Sequence, residues 1–191
     1  MTAYATAGQL KAYLGVSEAW DDALITDLLD RTSAAIDAYT SRTFAAAAAT
    51  ERAFDAVGRH IAGPTLYFDK DACAIQGVTN GDGTAVSASE YVTLPRNDTP
   101  FRGIQLKDAA ATMWTYATDW EGAIKVNAKW AYSETPPLDV VQACIQWAAF
   151  MYRKKDSPLQ DVTAIEQGVA ITPISVPGDV KALLSPYRRF V

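Results

Sequence analysis

The sequence has little histidine and little cysteine, with one His and two Cys among 191 residues. Cys73 and Cys144 lie far apart, so the chain has no disulfide framework, and the two thiols are typical of a protein from a reducing compartment. One histidine and two distant cysteines also exclude a zinc site of the usual ligand spacing. No apolar run approaches the roughly 18–20 residues that a membrane-spanning helix needs. The N-terminal segment lacks the basic and then apolar pattern of a secretory signal.

Positive charge is also scarce, since the formal net charge is −5. A protein that binds duplex DNA normally presents a basic face to the phosphates, so this balance argues against that function. The charge is uneven along the chain. Residues 1–40 carry two cations and six anions, whereas residues 136–191 carry six cations and five anions. This asymmetry is compatible with self-association or docking, but charge alone favours two ordinary solvated faces.

Catalytic patterns are missing as well. No G-x-S-x-G nucleophile elbow occurs, and "GVTNGDG" is neither a phosphate-binding loop nor a dinucleotide fingerprint. The turn acids of "NGDG" and "FDKDA" lack the spacing of a calcium-binding EF-hand loop. The residues therefore predict no enzyme activity, no metal and no cofactor. The alternative is a soluble enzyme or ligand-binding protein with a site near His60, Asp69 and Asp71.

Four helices are predicted from capping signals and from apolar residues at three- and four-residue steps. The first follows the capping box "TAGQ" at Thr6–Gln9 and ends at Gly15. The second covers about 20–41, with "AAAAAT" at 45–50 as a connector or a continuation. The third follows Pro136 and Pro137 and closes on Arg153, Lys154 and Lys155 before Pro158. The last covers about 178–185.

The segment between helix 2 and helix 3 has the composition of β-strands. Six candidate strands lie at 51–57, 65–69, 73–79, 90–94, 102–106 and 123–132. "NGDG" at Asn80–Gly83 predicts a tight turn. In the last candidate, Ile124, Val126, Ala128 and Trp130 alternate with polar residues, which predicts a half-buried antiparallel strand. Trp114, Tyr116 and Trp120 have acids rather than cations nearby, which favours packing or a protein interface over base stacking.

The predicted fold is α+β, a small helical core of about four helices with an antiparallel β insertion between helix 2 and helix 3. We assign residues 1–50 and 132–191 to the core and residues 51–131 to the insertion. Within the core, residues 159–177 are expected to form an extended loop or hairpin arm, and residues 186–191 a C-terminal tail.

Three segments resemble a known family. They are "YATAGQLKAYLGVSEAWDDALITDLLDRTSAAIDAYTSRTF", "TPPLDVVQACIQWAAFMYRKKDSP" and "VKALLSPYRRF". Together they cover about 80 of the 191 residues. In the same order along the chain, they resemble the helices of tailed-phage head–tail connector proteins, the gp6-like head-completion adaptors. The β insertion is the part that the resemblance covers least.

The resemblance implies a structural virion protein rather than an enzyme. Copies of such a protein form a ring, twelve-fold in the family, under the portal protein. The ring extends the channel through which genomic DNA passes without sequence-specific binding, and it docks a stopper or tail-terminator protein. The implied location is the virion neck, after assembly in the host cytoplasm, with no membrane involved. A tail-completion or stopper protein of the same neck is the alternative within this class.

Two sets of site residues follow from this interpretation. The expected interface with the portal or a neighbouring copy consists of basic and aromatic residues at the end of helix 3 and in the tail: Arg153, Lys154, Lys155, Tyr187, Arg188, Arg189 and Phe190. If helix 2 lines the channel, Asp27, Asp30 and Asp37 would repel DNA phosphates and let the genome slide.

Overall fold

A computed structural model describes residues 3–17, 21–154, 162–165, 168–171 and 176–189. Contacts divide the chain into two units, Met1–Ser41 with Pro136–Val191, and Arg42–Thr135. We call them the helical unit and the β unit. The described part of the chain holds four α-helices and nine strands, with the β unit between α2 and α3, so the predicted α+β class is confirmed.

The helical unit contains four helices and a short hairpin. Its helices are α1 Ala7–Leu14, α2 Asp22–Thr40, α3 Leu138–Lys154 and α4 Gly178–Leu184, followed by a 3-10 turn at Ser185–Tyr187. The hairpin strands β8, Val162–Ile165, and β9, Gly168–Ile171, pair antiparallel. They fall within the predicted arm, whose residues 159–161, 166–167 and 172–175 lie outside the described residues.

Local signals at the first helix are confirmed. The Thr6 hydroxyl accepts from the Gln9 N–H at 3.2 Å, and the Gln9 side chain accepts from the Thr6 N–H at 2.8 Å. These bonds satisfy two N–H groups that a helix start otherwise leaves free. Gly15 ends the helix in the left-handed region with φ of 71°. Helix α2 ends at Thr40, so the alanine-rich stretch is a connector and does not continue the helix.

Helix α3 is the centre of the helical unit, because it contacts α1, α2 and α4. Its buried face includes Val140, Cys144 and Ala148, each fully excluded from solvent. Leu29 and Ile36 of α2 are also buried, with at most 2% of either residue exposed. Burying a side chain of leucine or isoleucine size stabilises a fold by about 1.5–3 kcal/mol, so this apolar stripe accounts for much of the packing. The spacing in sequence is what places the stripe on one face.

The β unit contains two antiparallel sheets. One has the order β1–β7–β4 and the other β2–β3–β6–β5. The strands are β1 Thr50–Phe54, β2 Ile61–Ala62, β3 Thr65–Ala72, β4 Ala74–Thr79, β5 Tyr91–Leu94, β6 Phe101–Leu106 and β7 Ile124–Lys129. Six of the seven match the predicted candidates. Strand β2 was missed because two residues are too few to show alternation.

Both sheets contribute to one apolar cluster. Ile124 and Val126 of β7 are fully buried, and so are Leu66 of β3 and Ile104 of β6. Trp130 packs against this cluster from the end of β7 and donates from Nε1 to the Thr50 carbonyl at 2.8 Å. The alternation of buried and polar side chains predicted for β7 is therefore present. Strand β7 lies at the centre of its sheet, between β1 and β4.

A buried ion pair lies near the start of the β unit. The Arg42 guanidinium bonds the Asp71 carboxylate of β3, and both side chains are at most 5% exposed. Arg42 also lies over the ring of Tyr132, 5.3 Å from its centroid, and that ring packs on Phe44. These contacts attach residues 42–44 to the β unit.

Candidate functional site

The C-terminal segment after α4 lies across two helix ends of the helical unit. The Tyr187 hydroxyl donates to Asp139 in the first turn of α3 at 3.2 Å. The Arg188 guanidinium lies 5.1 Å from the centroid of the Tyr39 ring near the end of α2. Helix α4, which precedes the segment, packs against α3, and its Val180 and Leu184 are fully buried. The backbone N–H of Arg189 donates to the Thr40 carbonyl at 2.9 Å. Tyr187, Arg188 and Arg189 of the predicted interface are thus close together, yet all three also make contacts within the chain.

The basic end of α3 is a separate surface. Arg153 is exposed and has no ion-pair partner among the described residues. The Lys154 ammonium lies 4.6 Å from the centroid of the Phe150 ring, a cation–π contact. The Tyr152 hydroxyl donates to Asp21, which ties this end of α3 to the start of α2. Lys155 and Phe190 of the predicted set lie outside the described residues.

These two surfaces are at opposite ends of one helix. Asp139, which holds Tyr187, is in the first turn of α3, and Lys154 is its last residue. A rise of about 1.5 Å per residue puts roughly 22 Å between them along the axis. The structure therefore does not bring the predicted interface residues into a single patch. The sequence could not show this separation, because the predicted interface residues were grouped by their charge and aromatic character and not by their positions in space.

The three acids of α2 that are predicted to face a channel differ in their surroundings. Asp27 forms an ion pair with Arg31 one turn later, at 2.9 Å. Asp30 is exposed, and Asp37 is half-buried and accepts a hydrogen bond from the Tyr4 hydroxyl. Of the three, Asp30 is the carboxylate that is exposed with no hydrogen-bond or ion-pair partner in the described part of the chain. The other two have structural contacts in addition to any role at a channel.

The alternative site around His60 also separates into individual contacts. His60 Nδ1 lies 3.5 Å from the Asp55 carboxylate, and its ring packs edge-on against Phe54. Asp69 pairs with Arg52 at 2.9 Å, whereas Asp71 is the buried partner of Arg42. Each of the three residues thus has a different partner. Within the described residues, no group of three His, Cys, Asp or Glu side chains could hold a metal ion.

Neither thiol is activated. Burial raises the pKa of the Cys144 thiol, which lies 3.6 Å from the Ser33 hydroxyl in the core. Desolvation raises the pKa of Cys73 too, and the nearby charge of Glu134 adds to the shift. Because the thiolate is the nucleophile, a raised pKa leaves both cysteines poorly reactive near neutral pH.

Sequence reasoning favoured packing or an interface at Trp114, Tyr116 and Trp120, but it did not show the long loop of the β unit on which they lie. Residues 107–122 form a long connection between β6 and β7 without helix or strand, and we call it the anchored loop. Asn80 supports its middle: the Asn80 amide donates to the Met113 carbonyl at 2.8 Å and accepts from the Thr115 N–H at 3.1 Å. Trp114 Nε1 donates to the Pro64 carbonyl at 2.8 Å.

Hydrogen bonds also attach the anchored loop on either side of this middle part. The Thr112 hydroxyl donates to the Glu90 carboxylate, and this bond together with the Ser87 N–H holds the pKa of Glu90 below its ordinary value. At the far end, the Trp120 carbonyl accepts from Ala56 N–H at 2.9 Å. Long loops inside compact domains are typically functional, and this one has a fixed backbone.

An apolar groove of about 580 Å³ opens beside the anchored loop. Its walls include Ile61, Pro64 and Leu106 on one side and Met113 with Trp114 on the other. The tryptophan-rich composition of "MWTYATDW" is the sequence signal for this surface. The groove itself could not be predicted, because it depends on the turn at Gly63 and Pro64 meeting the anchored loop.

No helix in the part of the chain that the structure describes is long and apolar enough to cross a membrane. No protein-family model matches the chain, and no curated protein matches it significantly. Several solved structures share its fold, and three of them match over nearly the whole length of both chains.

The chain is similar to a protein of the neck of an empty gene transfer agent (GTA) particle computed with C6 symmetry. The TM-score is 0.64 at 17% identity, and the match covers 100% of this chain and 94% of the other. A protein in the neck of the native GTA particle computed with C12 symmetry matches with a TM-score of 0.59 at 17% identity, over 100% and 94% of the two chains. A protein in the virion of the native GTA particle matches at 0.56 and 21% identity, over 98% and 91%. At such identities the likeness shows a shared fold.

Proposed function

We propose that this chain is a structural protein of the neck of a phage-like particle. The observation that carries the proposal is the fold likeness over the full chain, helical unit and β unit together, to proteins in GTA necks. A match that covers 94% of the other protein's chain involves the whole set of helices and strands rather than one common motif. The resemblance of the three sequence segments to connector adaptors supports the same role.

Within the neck, the proposed role is that of the head-to-tail adaptor. Copies form a homo-oligomeric ring below the portal protein, extend the DNA channel and present a docking surface for the stopper or tail-terminator protein. The C6 and C12 symmetry of the neighbouring neck structures supports a ring of twelve copies. Helices that bracket the β unit on both sides favour an adaptor over a stopper, the alternative role in the same neck.

The channel wall in this proposal is helix α2. Asp30 is the exposed carboxylate with no partner among the described residues, and Asp27 lies about one turn before it on the same side of the helix. Carboxylates lining a lumen would repel DNA phosphates and keep the genome from adhering to the wall. Lysine at both positions is expected to slow DNA ejection without preventing ring formation.

Electron cryo-microscopy of the neck of the particle that carries this protein tests the proposal. The expected map shows a ring of this chain between the portal protein and the tail. A ring below the adaptor position, in contact with the tail alone, would assign the stopper role instead. Particles whose necks lack this chain altogether would overturn the proposal.

A variant experiment addresses docking. In the structure, Arg189 contacts α2 through its backbone N–H, so Arg189→Glu reverses a charge and keeps that contact. We expect Arg189→Glu to reduce the fraction of tailed, infectious particles while the protein stays folded, as its thermal unfolding transition shows. Deletion of residues 186–191 is the stronger variant, but it also removes the contacts of Tyr187 and Arg188 to the helices. Normal infectivity of Arg189→Glu and of the deletion would exclude a docking role for the tail.

A further inference from the structure

The anchored loop, residues 107–122, holds large apolar side chains in solvent on a fixed backbone. Met113 is 78% exposed, Tyr116 44% and Trp120 40%. The hydrogen bonds to Asn80, Pro64 and Ala56 restrain the loop before any partner arrives. A restrained loop loses little conformational entropy on binding, and exposed Trp, Tyr and Met side chains are typical of interface centres. The loop therefore has the properties of a preformed docking surface.

The charges of the loop define its partner. Asp108, Asp119 and Glu121 are exposed and have no ion-pair partner among the described residues. The only cation in the loop sequence, Lys107, is engaged, since its ammonium donates to the Ser89 carbonyl at 2.6 Å. The surface thus combines exposed apolar side chains with exposed acids. A complementary partner offers apolar contact area and positive charge.

The basic end of α3 has this chemistry. Arg153 is exposed without an ion-pair partner in the described residues, and Lys154 lies beside the Phe150 ring. Asp21, an acid at this end of α3, accepts from the Tyr152 hydroxyl. Arg and Lys side chains beside an aromatic ring can form ion pairs with the acids of the anchored loop and cation–π contacts with its exposed tryptophan and tyrosine.

We propose that the anchored loop of one copy docks on the basic end of α3, residues Phe150, Arg153 and Lys154, of a second copy of this chain. The two surfaces are different, so the contact is heterologous, and repetition of a heterologous contact closes a ring when the rotation permits. The inference rests on the proposed ring and assigns its neighbour contact. The groove beside Met113 belongs to the same surface and gives room for apolar side chains of the second copy.

A charge exchange on the full-length chain tests this contact. One variant carries Asp119→Lys with Glu121→Lys, another Arg153→Glu with Lys154→Glu, and a third carries all four changes. Mass photometry and sedimentation velocity measure self-association across concentration and salt. We expect each double variant to weaken association by about tenfold or more, and the four-fold variant to recover most of the loss. The wild-type association should weaken as salt screens the contact.

Matched controls separate this contact from general charge effects. Asp82→Lys with Asp98→Lys changes the net charge by the same amount as Asp119→Lys with Glu121→Lys, at exposed acids of the β unit outside the anchored loop, and should associate as the wild type does. Trp120→Ala removes an exposed ring but keeps the carbonyl that anchors the loop, and should weaken association at unchanged charge. Asp119, Glu121 and Arg153 are exposed, so their substitution should leave the thermal midpoint close to that of the wild type. Lys154→Glu removes the contact with Phe150 and Asp82→Lys removes the bonds from Thr84, so these variants should melt slightly lower while remaining folded.

The outcomes also separate this inference from the proposed function. Unchanged association of the double variants and of Trp120→Ala would overturn the contact, and so would a wild-type chain that remains monomeric up to its solubility limit. In both cases a neck map that contains the ring leaves the adaptor proposal standing. Weakening without recovery in the four-fold variant would show that the two surfaces bind different partners and overturn their pairing.

Discussion

The backbone N–H of Arg189 donates to the carbonyl oxygen of Thr40 at 2.9 Å. Thr40 is the last residue of α2, and Ser41 after it adopts the left-handed conformation with φ of 56°. The bond therefore satisfies one of the carbonyls that a helix end leaves without a partner inside the helix. It also attaches the C-terminal segment to the point where the chain leaves the helical unit.

The side chain of Arg188 should contribute measurably to this attachment. Arg188→Ala removes the cation–π contact with Tyr39, and we expect a loss of about 0.5–1 kcal/mol in the free energy of unfolding. Lys181→Ala, at an exposed cation of α4, is the control and should change stability by less. Urea unfolding of both variants measures the difference. Equal losses would show that the cation–π contact between Arg188 and Tyr39 adds nothing to stability.

Asp71 and Asp69 provide a matched pair two residues apart on β3. Asp71 is 3% exposed and bonded to Arg42, whereas Asp69 is 46% exposed and bonded to Arg52. Asp71→Asn leaves a buried guanidinium without its counter-charge, which typically costs about 3–5 kcal/mol. Asp69→Asn should cost at most about 1 kcal/mol, because exposed ion pairs are screened by water. Chemical denaturation of the two variants tests the contrast, and similar losses would contradict it.

Gly81 is required because the anchored loop passes close to it. A Cβ at this position would lie 2.3 Å from the Thr115 carbonyl oxygen. Gly81→Ala should therefore displace the loop and destabilise the β unit by about 1–3 kcal/mol. Gly77→Ala in β4 is the control, since its Cβ would meet no atom within 4 Å. Faster hydrogen exchange of residues 113–117 in Gly81→Ala, but not in Gly77→Ala, is the expected signature.

Glu90 makes the stability of the β unit depend on pH. Its pKa is lowered from 4.5, first by the Thr112 hydroxyl and then by the Ser87 N–H. A carboxyl with a lowered folded pKa stabilises the fold above its unfolded pKa, and this contribution is lost as the pH falls through the folded pKa. Glu90→Gln should thus lose less stability than the wild type between about pH 7 and pH 3.5.

Urea midpoints at the two pH values measure that difference. Glu121→Gln is the control, because Glu121 lies in the anchored loop without a hydrogen-bond partner among the described residues. We expect the control to follow the wild type at both pH values. A wild-type curve parallel to that of Glu90→Gln would show that the bond to Thr112 does not persist in solution.

Several elements could be predicted because their signals are local. The capping box at Thr6 and Gln9 satisfies helix N–H groups within four residues, and the alternation in β7 separates a core face from a solvent face. The turn at Asn80–Gly83 closes with the Gly83 N–H donating to the Asn80 carbonyl at 2.9 Å, as "NGDG" predicts. In each case the physical cause lies within the residues that show the pattern.

The candidate surfaces could not be predicted in the same way. The basic residues at Arg153 and in the C-terminal segment look alike in sequence, yet they lie at opposite ends of α3, because Tyr187 binds Asp139 in the first turn of that helix. The anchored loop contains no periodic pattern, since its conformation comes from Asn80, Pro64 and Ala56, which are distant in sequence.

By itself, the sequence determined the class of fold, the order of helices and strands, and the absence of the usual catalytic and zinc-site patterns, because these depend on composition and local spacing. Only the tertiary structure decided which exposed residues share a surface. That depends on long-range contacts, such as the buried pair of Arg42 and Asp71 and the bond from Arg189 to Thr40, whose partners no local pattern connects.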